Sequence, residues 1–247
     1  MDGDLRPISR FPHRKEDNLS GAVVVYEGPY KNQEGQVPHN LYVLCHDPYG
    51  QNQSADSTSL GAAYVIKRTN NISQPDDMIV ASYVGRPQTQ DEYNRNLFML
   101  SDYYNAKIGF ENDRGAVIQY AKQHRKLHRL QEEFEMLDKK ELRSRTVKRQ
   151  YGMHTTEARK RQGEIYIRDW LNSVRSKSED GTVTLNLHKI YDLALLQELI
   201  KFNHKGNFDR VMALMIGMYH TRELYNAEVK EILEDRAVDA WFDNNYH

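Results

Sequence analysis

The 247-residue chain holds a single cysteine, Cys45, which excludes an intramolecular disulfide and suits a reducing compartment. Its apolar runs, such as Ala22-Val23-Val24-Val25-Tyr26, stop far short of the roughly 20 residues a membrane helix needs. The N-terminal residues mix Asp2, Asp4, Arg6 and Arg10 without an apolar stretch, so they do not read as a signal peptide. The chain has no Gly-x-x-x-x-Gly-Lys-Ser/Thr loop and therefore carries no P-loop ATPase motif of its own. It also lacks a His-Glu-x-x-His motif. His124 and His128 are spaced four apart, but Arg125 follows His124 and no third ligand is evident, so a solvated basic helix is the reading there. Nor is there a charge excess: 34 Lys and Arg stand against 35 Asp and Glu, a net −1 that argues against polyanion binding by the molecule as a whole.

What is present describes a soluble globular protein. With 39% apolar residues, a chain of this length buries roughly 70–75% of its unfolded surface and needs no cross-links. One large α/β domain is the simplest organisation. Charge is distributed unevenly. From Lys122 to Arg161 there are 13 Lys/Arg against 6 Asp/Glu, and from Glu223 to His247 there are 7 acids against 2 Lys/Arg. A solvated helix face accounts for such runs, and a polyanion-binding surface is the alternative.

Residues 1–20 show no apolar periodicity and read as a linker or tail. Short β-branched or apolar runs follow at 21–26, 41–45, 60–66 and 78–84. The first two are expected as a strand pair, and the last three as an antiparallel meander. The continuous apolar character of 41–45 suits a strand buried on both faces, with Cys45 in the core. From residue 89 to 104 the period changes: Tyr93, Leu97, Leu100 and Tyr104 make one helical face. A short strand at 108–110 follows, then a helix from about Ala116 into the basic region. Further helices are expected at 155–176, 190–202 and 208–225, with a short strand at 183–187 between them. Strands linked by hairpins, then alternating helix and strand, predict an α/β domain with a mixed sheet.

Three acids sit at the ends of apolar elements. Asp47 follows the 41–45 run, Glu111 follows Ile108-Gly109-Phe110, and Asp209 opens the last apolar helix. Each has a local explanation. Asp47-Pro48-Tyr49-Gly50 matches a type I turn, Glu111 marks a strand leaving for solvent, and Asp209 suits a helix N-terminus with Asn207 as cap. Together they offer more. If the two strands are neighbours, Asp47 and Glu111 lie at adjacent strand ends and Asp209 closes a third side. Hard cations such as Mg²⁺ take carboxylate oxygens, and two ions about 4 Å apart can serve phosphodiester hydrolysis.

Four stretches now in view resemble the C-terminal nuclease domain of a tailed-phage large terminase subunit, in particular that of crAss-like phages and their relatives. They are Leu41-Tyr42-Val43-Leu44-Cys45-His46-Asp47-Pro48-Tyr49, Ala81-Ser82-Tyr83-Val84-Gly85-Arg86-Pro87, Tyr103-Tyr104-Asn105-Ala106-Lys107-Ile108-Gly109-Phe110-Glu111-Asn112 and Lys205-Gly206-Asn207-Phe208-Asp209-Arg210-Val211-Met212-Ala213-Leu214. The resemblance implies an α/β, RNase H-like fold with a central mixed sheet of five or more strands flanked by helices. It implies a Mg²⁺- or Mn²⁺-dependent endonuclease that cleaves concatemeric viral double-stranded DNA during genome packaging, with two ions. Asp47 would bridge both ions, while Glu111 and Asp209 would each help hold one; Asp56 is a further candidate acid. The partners implied are double-stranded DNA, the portal protein, the small terminase subunit and an ATPase motor domain missing from this chain. No membrane is implied, and the setting would be a viral packaging complex in the host cell cytoplasm. On this resemblance residues 1–20 become an inter-domain linker, 21–226 the nuclease domain and 227–247 an acidic C-terminal helix or tail. The Lys122–Arg161 stretch becomes a surface for the DNA backbone, the portal or the motor. The rival reading is a non-catalytic module on the same fold that docks the packaging motor to portal or small terminase. Another RNase H-like enzyme, such as an integrase or resolvase, would need a different arrangement of acids and lacks the Lys-Gly-Asn-Phe-Asp motif.

Overall fold

The computed structural model describes residues 5–49, 59–68, 77–112, 115–134, 151–203 and 206–245. Its elements in chain order are β1 (Val23–Val25), β2 (Tyr42–Asp47), β3 (Gly61–Lys67), β4 (Met78–Gly85), α1 (Gln90–Tyr104), β5 (Lys107–Phe110) and α2 (Ala116–Gln123). They continue with α3 (Glu157–Leu171), β6 (Val174–Lys177), β7 (Val183–Leu185), α4 (Leu193–Lys201) and α5 (Asp209–Asn245). Five strands form one mixed sheet in the order β1-β4-β3-β2-β5, and β6 and β7 make a separate hairpin.

The expected meander is present: β2 pairs antiparallel with β3, and β3 with β4. β5 joins the other edge of β2 in parallel, after α1 has carried the chain across the sheet. The continuous apolar character of β2 follows from burial on both faces. Val43 and Cys45 face a cluster with Val211, Leu214 and Met218 of α5 and Leu195 of α4. Tyr42 and Leu44 face the other cluster, with Leu97, Phe98 and Tyr104 of α1. The predicted helical face of α1 is the buried one, and Asn105 ends that helix in the left-handed region at φ 49°.

Helix α5 lies directly on the sheet because of Gly217. A Cβ there would stand 2.8 Å from Cys45 Sγ and 2.7 Å from Ile66 Cδ1, so only glycine permits this approach. The helix runs from the C-terminal end of β2 back toward its start, where Arg68, next to β3, forms an ion pair with Glu228 at 3.0 Å.

Several elements differ from the sequence pattern. β1 pairs with β4 instead of β2, because the meander fills one edge of β2 and β5 takes the other. Helix α2 stops at Gln123, and Arg125 takes φ 55°, so His124 and His128 share no helical face. Helix α3 ends at Leu171, and residues 174–177 form β6, paired with β7. Residues 5–20 pack against the domain: Ile8 is in the core, and the Phe11 N–H donates to Gln197 Oε1 at 2.8 Å. Helix α5 continues unbroken through the acidic region to Asn245.

Candidate active site

The sheet register decides where the sequence-predicted acids go. Asp47 is the last residue of β2 and is buried. β5 runs parallel beside it with His46 opposite Phe110, so Glu111, the next residue, leaves the sheet next to Asp47. The Glu111 N–H donates to His46 O at 3.4 Å, and on its far side Glu111 bridges to Met153. Side-chain alternation settles the face. Cys45 packs on α5, so Asp47, two residues on, points to the α5 side. Gly109 lies under His220 of α5, so Glu111 alternates to that same side.

Asp209 is the first residue of α5 and is anchored to the start of β3. Its Oδ1 accepts from Ser59 Oγ at 3.1 Å, and its Oδ2 accepts from the Leu60 N–H at 2.8 Å and Asn207 Nδ2 at 3.2 Å. Leu60 is two residues before Ala62, the partner of Asp47 across the ladder, so this anchor lies at the same sheet end. Burial pushes the Asp209 carboxyl above its ordinary value, against the pull of these donors and of Arg210. The Tyr93 phenol senses the charge of two of the acids. It is pushed well above its ordinary value chiefly by burial, with Tyr83 and Tyr49 adding and then both Asp47 and Asp209. Tyr93 itself stacks on His46 at 5.1 Å and on Tyr83 at 4.7 Å, forming the floor beneath this sheet end.

The arrangement therefore brings Asp47 and Glu111 to adjacent strand ends and anchors Asp209 at the same end of the sheet. Among the described residues no three His, Cys, Asp or Glu side chains converge closely enough to make a metal cluster as they stand. The donor chemistry nevertheless fits a hard divalent cation: all three are carboxylates, and the charge on the partly buried Asp209, disfavoured by desolvation, is one that a cation would relieve. Asp56 lies outside the described residues. The basic stretch is described only in part; there, Lys126 and Arg129 are paired with Asp102 at 2.5 and 2.9 Å and Arg159 is buried, so its charge is partly spent within the fold.

A second polar cluster was missed in the sequence. Glu198 of α4 is buried and caps α5, accepting the backbone N–H of Arg210 at 2.7 Å and of Val211 at 3.0 Å. The Arg210 side chain reaches Glu198 at 3.3 Å and donates to Ile8 O at 2.7 Å. Burial raises the Glu198 carboxyl to about 7, with Arg210 and the Val211 N–H opposing the shift. A signal was available: Glu198 stands four residues after Ala194 and three after Leu195, on the apolar face of its helix.

Comparison with solved structures places the chain beside one group of proteins. It is similar to large terminase nucleases. The crystal structure of the large terminase nuclease from thermophilic phage G20c with bound zinc matches at 14% identity and TM-score 0.47, over 86% of this chain and 90% of that one. The same nuclease with bound magnesium matches at 13% identity and TM-score 0.42, over 87% and 90%. Its cobalt-bound form matches at 13% identity and TM-score 0.40, with the same coverage. No protein-family model and no curated protein matches the chain. The likeness is one of overall arrangement.

Proposed function

We propose that this chain is a metal-dependent endonuclease that cleaves concatemeric viral double-stranded DNA during genome packaging. The observation that carries the proposal is the shared position of Asp47 and Glu111, at the ends of adjacent parallel strands, with Asp209 anchored beside them through Ser59 and Leu60. The four sequence stretches that resemble terminase nucleases include all three acids.

In this reading Asp47, Glu111 and Asp209 would hold two Mg²⁺ or Mn²⁺ ions. When bound, the ions supply activation of the attacking water and charge for the leaving 3′ oxygen. The chain supplies placement. The β2–β5 register sets Asp47 against Glu111, and Ser59 and the Leu60 N–H orient the two oxygens of Asp209. No side chain acts as a covalent nucleophile, and the products are a 5′-phosphate and a 3′-hydroxyl. Base readout is not required, since sequence-independent contact with phosphates suffices to position a duplex. The partners in this setting are the portal, the small terminase subunit and an ATPase motor, within the host cell cytoplasm.

The test is supercoiled-plasmid cleavage by the full chain with Mn²⁺, Mg²⁺ or EDTA, alongside Asp47→Asn. Metal-dependent cutting that the variant loses supports the nuclease. A folded wild-type chain that leaves the plasmid intact with either ion contradicts it and favours the docking module.

A further inference from the structure

Arg86 belongs to one of the four stretches singled out in the sequence, yet the nuclease reading gives it no task. It follows β4 directly, and because Gly85 pairs with Gly61 across the β3–β4 ladder, Arg86 lies at the same sheet end as Leu60 and Asp47. Its backbone N–H donates to Leu19 O, which fixes the base of the side chain against the N-terminal segment. Its guanidinium edge and face are then both engaged. Nη1 donates to the Ser59 carbonyl at 3.0 Å, and Cζ lies 5.4 Å from the centroid of the Tyr49 ring.

Each contact leads to an acid. Tyr49 is two residues beyond Asp47 and is buried edge-on against Tyr93 at 5.5 Å. Ser59 sends its hydroxyl to Asp209 Oδ1, and the next N–H, that of Leu60, goes to Oδ2. Holding the Ser59 carbonyl therefore orients the peptide whose N–H reaches Asp209, since a peptide unit is rigid and its C=O and N–H point oppositely. A planar guanidinium suits this position because its edge donates while its face covers a ring; an ammonium has no such face.

We propose that Arg86 is a positioning residue for the acidic site, tying the segment after Asp47 to the segment that anchors Asp209. It acts through Ser59 and Leu60. The consequence for cleavage rests on the nuclease reading, whereas the anchoring itself does not.

The experiment is amide hydrogen exchange by NMR on the full chain without metal, comparing wild type, Arg86→Gln and Arg86→Lys. The Leu60 amide reports the bond to Asp209, and the Val65 amide in the middle of β3 is the internal standard. In Arg86→Gln, Leu60 is expected to exchange about tenfold faster or more while Val65 keeps its rate, as loss of one supported hydrogen bond requires. Arg86→Lys keeps a donor and a charge, so a smaller acceleration confined to Leu60 is expected. The Mn²⁺ concentration for half-maximal plasmid cleavage is read on the same variants and rises in the order wild type, Lys, Gln. An unchanged Leu60 rate in Arg86→Gln overturns the proposal. Equal acceleration at Leu60 and Val65 also overturns it, because that is the mark of a general packing role. If wild type cuts no plasmid, the nuclease reading fails, yet the exchange rates still decide the role of Arg86.

Discussion

The Leu60 amide donates to Asp209 Oδ2 at 2.8 Å, so the residue that precedes β3 holds the residue that opens α5. This bond joins segments 149 positions apart in the chain. It ties the last helix to the sheet end where β2 and β5 finish and orients the Asp209 carboxylate.

Removing the side-chain donor Ser59 from that anchor should weaken the site without unfolding the protein. Ser59→Ala deletes the hydroxyl that meets Asp209 Oδ1 at 3.1 Å. Loss of such an outer partner typically costs about 10- to 100-fold in metal affinity. The Mn²⁺ dependence of plasmid cleavage should shift upward by about tenfold or more, with the circular dichroism spectrum unchanged.

Substituting Gly217 should loosen the seat of α5. The added methyl of Gly217→Ala meets Cys45 Sγ at 2.8 Å and Ile66 Cδ1 at 2.7 Å, both in the packed core. Overpacking of this kind costs about 1–3 kcal/mol. Chemical denaturation should show a lowered midpoint with an unchanged slope; an unaltered midpoint would mean that the helix shifts freely on the sheet.

Stability should rise with pH through the mildly acidic range. Burial lowers His46 to about 4 and His220 to about 3, from an ordinary 6.5, so between those values the unfolded chain binds two protons that the folded chain does not. Glu198 works in the other direction: raised from 4.5 to about 7, it keeps one proton in the folded state that the unfolded state has lost. Among these three groups the unfolded state binds one more proton than the folded state from about pH 4.5 to 6.5, so together they make stability rise with pH there; the lowered His13 acts in the same direction and the raised Asp209 carboxyl opposes it. Neither ring nitrogen of His220 has a hydrogen-bond partner among the described residues, so His220→Leu sacrifices no bond. That variant should flatten the pH dependence measured by urea denaturation at pH 5 and pH 6; an unchanged slope would contradict the assignment.

The parts of this fold visible in the sequence are those set by local pattern. The run at 41–45 marks a strand buried on both faces, and Tyr93, Leu97, Leu100 and Tyr104 mark the buried face of α1. Asp47, Glu111 and Asp209 stood out because each ends or opens an apolar element. Pairing over distance was not visible: β1 is three valines long and carries nothing that names β4 as its partner. Residues 5–20 have no periodicity because they are held singly, by the Ile8 carbonyl on Arg210 and the Phe11 N–H on Gln197, which no spacing rule records. The role of Arg86 is not legible in the sequence for the same reason, since Ser59 and Tyr49 lie on segments that only the folded sheet brings together.

The central claim is that Asp47, Glu111 and Asp209 form one divalent-cation site. Calorimetric titration of Mn²⁺ into the full chain, wild type against Asp47→Asn, tests it most directly. Saturable binding by wild type that Asp47→Asn weakens by at least about 100-fold is the predicted result, since the proposed site makes Asp47 a direct ligand and even outer partners are worth about 10- to 100-fold. Equal binding by the two proteins, or none by wild type, would contradict it.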